Sequence, residues 1–162
     1  MKIKILTTGG TIDKIYFDAK SEFQVGDPQI TELLHEANVS FDFEVDSVMR
    51  KDSLEMTDDD RDLLRRKVER ESADRILITH GTDSMVDTGR ALAGIDGKTI
   101  VLTGAMQPAR LRVNDAIFNI GYAVAAVQQL PPGVYIAMNG QLFDPISSHK
   151  NVAENRFEKT TG

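Results

Sequence analysis

Three short polar stretches carry the groups that could do chemistry, and each follows an apolar run. They are Thr7-Thr8-Gly9-Gly10-Thr11, Thr79-His80-Gly81-Thr82-Asp83 and Thr103-Gly104-Ala105-Met106. Thr is a poor turn residue, because its β-branched side chain favours strands. Its hydroxyl becomes a nucleophile only when a neighbouring base takes the proton. Gly10 lets the backbone approach a substrate closely, and a neighbouring N–H could serve a developing oxyanion. Tyr16, five residues after Thr11, is a possible proton partner. Taken alone, Gly9-Gly10 is equally a tight turn with Thr11 capping nearby backbone.

The second stretch is richer. Thr82 beside an amine could hold and activate water, and Asp83 could pair with a substrate ammonium. Either residue could also cap the helix that follows, and a cap can line a crevice too. His80 reads as structural, orienting the turn. Neither GxxxxGK[ST] nor GxGxxG occurs, so the phosphate-loop and dinucleotide fingerprints are absent. His35, His80 and His149 lie far apart and form no H-x-x-x-H pair, so no metal site is expected.

The elements that must position these residues alternate along the chain. Ile3–Thr8, "FDFEVDSVM", "RILITH", "KTIVLTG" and "GVYIAMN" read as strands, with "QLFDPI" as a hairpin partner. "GDPQITELLHEAN" reads as a helix with Asp27 as cap and Pro28 in its first turn. "TDDDRDLLRRKVERESA" reads as a second, capped by Thr57, with its acids at the positive end of the helix dipole. "SMVDTGRALAG" and "NDAIFNIGYAVAAVQQL" complete the set. Such alternation predicts βαβ units: one three-layer α/β domain over residues 1–162 with a mostly parallel sheet. Ligands of such sheets bind beyond the carboxyl ends of the strands, where all three polar stretches fall. "GGTIDKIYFDAKSEFQVG" has the length of a mobile lid. The tail "SSHKNVAENRFEKTTG" shows no period.

Composition narrows the function classes. The 162 residues are 41% apolar, enough for a sizeable core. A net charge of −6 with no basic face argues against nucleic-acid binding. Without cysteine there is no disulfide, thiolate catalysis or Cys-based zinc site. No apolar stretch approaches the roughly 20 residues of a membrane helix, and no signal-peptide core opens the chain. A soluble, cytoplasmic protein is expected.

"TTGGTID", "THGTDSM" and "VLTGAMQP", in this order and spacing, resemble the amino-terminal domain of the bacterial-type L-asparaginase family. "DSLEM", Asp52 to Met56, resembles that family's carboxylate-recognition segment. The resemblance extends from Lys2 to about Phe157. It implies a flavodoxin-like strand order and hydrolysis of L-asparagine to L-aspartate and ammonia with no cofactor. Thr11 would attack the side-chain amide and form an acyl-enzyme. Tyr16 would assist from the loop, although longer relatives place that tyrosine where this chain has Phe23. Ser53 would bind the α-carboxylate, with Leu54 after it where relatives often carry Gln. Thr82 would serve a second proton relay with Lys150, and Asp83 would hold the α-ammonium. Gly10 and Ala105 would line the pocket beside Met106.

Relatives of this family are about twice as long, with a smaller carboxy-terminal domain, and the expectation here is a single amino-terminal-type domain without that second one. They assemble, so a homodimer or homotetramer is expected. The rival readings are a tRNA-linked glutamine amidotransferase component sharing these motifs, and a non-catalytic amino-acid-binding protein on the same scaffold.

Overall fold

The computed structural model describes residues 1–161. Its strands are β1 (Lys2–Gly9), β2 (Lys14–Phe17), β3 (Glu22–Val25), β4 (Asp42–Lys51), β5 (Arg75–Thr79), β6 (Thr99–Thr103), β7 (Gly133–Met138), β8 (Gln141–Phe143), β9 (Ser148–Asn151) and β10 (Arg156–Lys159). Its helices are α1 (Ile30–Glu36), α2 (Asp58–Arg70), α3 (Met85–Ala91) and α4 (Ala116–Gln129).

Six strands form one sheet in the order β4-β1-β5-β6-β7-β8. All its pairs are parallel except β7–β8. The strand order is flavodoxin-like, with an antiparallel edge strand added. β1, β5 and β6 are buried on both faces, and their unbroken Ile, Leu and Val runs satisfy that requirement. Ile5, Leu77 and Val101 point to one side, under Leu34 of α1 and Ala116, Ile120 and Val127 of α4. Leu6, Ile78 and Leu102 point to the other, under Leu64 and Val68 of α2 and Met85 of α3. The result is the three-layer α/β arrangement that the alternation of elements predicts.

Four elements differ from the sequence reading. α1 begins at Ile30, not at Pro28. Asp27 is drawn away to Arg50, 2.7 Å from its Oδ1, and the Gln29 N–H is taken instead by the Asp13 carboxylate at 2.9 Å. The segment read as a loop folds into a hairpin, with Tyr16 opposite Phe23 across β2 and β3. The aperiodic tail forms a second hairpin, β9 against β10. Neither Thr82 nor Asp83 caps α3: no side-chain cap bond starts that helix, because both side chains are held by a lysine. The Thr57 cap of α2 forms as expected, in a reciprocal box with Asp60.

Candidate active site

The carboxyl ends of β1 and β5 come together because two glycines permit it. Gly10 has φ +87°, and a Cβ there would sit 2.5 Å from the backbone of Gly81. A Cβ on Gly81 would in turn meet the Ser53 Cβ at 2.5 Å. The turn after β1, the turn after β5 and the short 3₁₀ turn Ser53–Glu55 therefore stack without intervening side chains. This stacking brings the Thr11, Thr82-Asp83 and Ser53 segments to one rim of the sheet.

Thr11 opens a 3₁₀ turn over Thr11–Asp13 and is half-buried. The turn is tied on several sides. The Gly10 N–H donates to the Lys51 carbonyl at 2.9 Å, and the Ala109 N–H donates to the Ile12 carbonyl at 3.1 Å. No side-chain hydrogen bond engages the Thr11 hydroxyl among the described residues.

Thr82 is buried, and its Oγ1 accepts from Lys150 Nζ at 2.8 Å. The same Nζ lies 2.7 Å from Asp83 Oδ1. Lys150 is on β9, and its side chain is only 13% exposed. The hairpin that sequence periodicity does not reveal is thus what delivers the lysine. Asp83 is 38% exposed, so its carboxylate can take a second cation from the solvent side. Ser53 is buried, its carbonyl accepts from Ser84 Oγ at 2.6 Å, and its own hydroxyl has no partner among the described residues. A buried hydroxyl without a partner is costly, and a ligand carboxylate would satisfy it. Leu54 beside it is exposed and offers no polar group.

His80 lies beneath the rim, fully buried. Its Nδ1 is 2.7 Å from the Gly81 carbonyl and its Nε2 is 2.7 Å from Thr88 Oγ1. Burial pushes its pKa down to about 4, opposed by the bond to Gly81. A neutral ring donating from Nδ1 and accepting at Nε2 satisfies both contacts, which is the structural role read for it.

Ala105 is buried in the turn after β6. Asp115 shapes that turn: its carboxylate accepts the Met106 and Gln107 N–H groups at 2.9–3.0 Å and the Asn119 side-chain amide at 2.9 Å. Asn119 also donates to the Gly104 carbonyl at 3.0 Å. Asp115 carries no local sequence signal for this role, because the amides it accepts lie eight and nine residues earlier in the chain. Asn114 beside it accepts from the Ala116 N–H at 2.9 Å.

Tyr16 is not joined to this cluster. It stands 53% exposed on the β2–β3 hairpin, edge-on to Phe23 at 5.5 Å. The hairpin's base is pinned to the Ser53 segment by Lys14, 2.9 Å from Asp52. That ammonium is the main reason the Asp52 carboxyl titrates below its ordinary value. No His, Asp and Glu grouping suited to a metal ion occurs among the described residues. A separate cavity of 310 Å³, bordered by Gly89, Tyr135 and Pro145, shares no residue with the rim.

Residues 2–158 match the family model for the amino-terminal domain of asparaginases. The chain belongs to the asparaginase family. It is 31% identical to L-asparaginase 2 of Escherichia coli over 154 residues, covering 88% of this chain and 44% of that one. It is 35% identical to a glutamyl-tRNA(Gln) amidotransferase component of Methanococcus vannielii over 91 residues, 54% of this chain and 21% of that one. The thermostable L-asparaginase of Thermococcus kodakarensis superposes with a TM-score of 0.83 at 25% identity, over 98% of this chain and 51% of that one. The asparaginase domain described here therefore spans about half the length of the solved relative and less than half of the curated ones.

Proposed function

We propose that this asparaginase-family chain is an amidohydrolase that converts L-asparagine to L-aspartate and ammonia through a Thr11 acyl-enzyme. The observation that carries the reading is the Lys150–Thr82–Asp83 cluster beside the Thr11 turn, with Nζ contacts of 2.8 and 2.7 Å. A buried threonine hydroxyl bonded to a lysine has the makings of a proton relay, which supports the reading.

In this mechanism Asp83 takes the substrate α-ammonium and the Ser53 hydroxyl takes the α-carboxylate. These anchors fix the side-chain amide against Thr11, replacing a chance encounter with a positioned one. Thr11 attacks the amide carbon, and the backbone N–H groups of Thr11 and Ala105, not those of Gly10 and Met106 that already have acceptors, stabilise the oxyanion. Such donors are typically worth about 3–4 kcal/mol. The proton released by the Thr11 hydroxyl is delivered to the amide nitrogen, so that the C–N bond breaks and neutral ammonia leaves. Water held at Thr82, with Lys150 exchanging its proton, then cleaves the ester and frees aspartate. Tyr16 reaches the site only if the hairpin closes, which would also exclude water. No cofactor or metal enters the scheme. The protein acts as a homo-oligomer in the cytoplasm; the exposed Ile117 and Phe118 on α4 support the self-association.

The similarity to the tRNA-linked amidotransferase supports a second reading, in which the same threonines release ammonia from glutamine. A coupled ammonia assay on L-Asn, L-Gln and D-Asn separates them. Turnover should be highest on L-Asn and lost in Thr11→Ala and Thr82→Val. Wild-type hydrolysis by Thr11→Ala removes Thr11 as nucleophile, and binding without ammonia release leaves an amino-acid-binding protein.

A further inference from the structure

Asp13 has no part in the scheme above, yet it is a carboxylate two residues from Thr11 and only 2% exposed. Three bonds converge on it. Its backbone N–H donates to the Gly10 carbonyl at 3.2 Å, closing the turn that bears Thr11. Its carbonyl accepts from Gly26 N–H at 2.8 Å, where the chain leaves the hairpin. Its Oδ1 accepts from Gln29 N–H at 2.9 Å, at the entrance to α1. One residue thus joins the nucleophile turn, both ends of the hairpin and a helix start.

Burying an unpaired carboxylate is costly, and an apolar side chain would fill the same space more cheaply. The basic groups nearby already have partners. Arg50 of β4 pairs with Asp27, Lys14 of β2 with Asp52, and Arg110 with the Gln29 Oε1 at 2.8 Å and, at 4.0 Å, with Glu32 of α1. Burial pushes the Asp13 carboxyl up to about 7, against the opposing pull of the Gln29 N–H and of Arg50.

We propose that Asp13 is a positioning residue: its buried carboxylate clasps the Thr11 turn and the base of the β2–β3 hairpin onto the start of α1. Its consequence for turnover rests on Thr11 being the nucleophile; the clasp itself does not.

Hydrogen exchange on the full chain tests it. In Asp13→Ala the Gln29 amide and the hairpin amides of residues 15–25 exchange about tenfold faster or more, the equivalent of one hydrogen bond. Asp13→Asn keeps the acceptor and retains most of the protection. In the wild type, Gln29 protection corrected for intrinsic exchange falls from pH 6 to 8 as the buried carboxyl ionises, and in Asp13→Asn it stays flat. Where ammonia release is measurable, Asp13→Ala lowers kcat more than it alters KM, and Asp13→Asn rescues it. Equal protection in wild type and Asp13→Ala overturns the proposal. If Asp13→Ala does not fold, an identical pH dependence in wild type and Asp13→Asn overturns it. A chain that releases no ammonia refutes the amidohydrolase reading and leaves the exchange result to decide the clasp.

Discussion

Lys150 bonds two side chains with different duties, and substitution should separate them. With Thr82 it forms the hydrogen bond proposed as the relay; with Asp83 it forms an ion pair whose carboxylate remains open to solvent. Lys150→Met should lower kcat about 100-fold or more and change KM little, as for loss of a general acid–base group. Asp83→Asn should raise KM for L-asparagine about tenfold or more, since a neutral amide holds an ammonium poorly. Steady-state ammonia release measures both. A Lys150→Met enzyme with unchanged kcat would reduce the lysine to a structural partner of Asp83. Thr82 and Asp83 are legible in the sequence because they follow a glycine at the end of an apolar run. Lys150 is reachable only through the family resemblance, since "SSHKNV" carries no local signal of its own.

At the scale of elements, close approach of backbones builds the rim. Gly81→Ala would force a Cβ to within 2.5 Å of the Ser53 Cβ, against backbone that is itself tied to Ser84. Thermal unfolding should show a loss of about 1–3 kcal/mol, the usual cost of overpacking, and L-asparagine affinity should fall with it. An unchanged melting temperature would mean that the two turns are free to part. The sheet and its helices are readable because strands buried on both faces must be continuous apolar runs, and because the cap of α2 is a local signal. The two hairpins are not. The strands of β2–β3 and β9–β10 are four residues each and of mixed burial, too short to show the alternation that betrays a half-buried strand. The start of α1 escapes for a different reason: its acceptor, Asp13, comes from 16 residues earlier in the chain.

Two buried groups with opposite shifts act on the stability of the whole molecule. His80 has its pKa lowered from 6.5 to about 4, so the unfolded chain binds the proton more readily. Its contribution is present above pH 6.5 and is lost as pH falls towards 4, on the order of 3 kcal/mol. Asp13 has its pKa raised from 3.8 to about 7, so the folded chain binds the proton more readily. Its contribution is present below pH 3.8 and is lost as pH rises towards 7. Between pH 4 and 6.5 the slopes oppose each other, and wild-type stability should vary little. Asp13→Asn removes one of them, so its melting temperature should climb steadily from pH 4.5 to 6.5 while that of the wild type stays nearly level. Parallel profiles for the two proteins would show that Asp13 titrates in its ordinary range.

The measurement that bears most directly on the central claim is mass spectrometry of the protein quenched during turnover of L-asparagine, followed by peptide mapping. An aspartyl ester on Thr11 is predicted, accumulating further in Thr82→Val, where the relay that releases it is broken. Ammonia release with an ester on another residue, or with Thr11 unmodified in both proteins, would contradict the account.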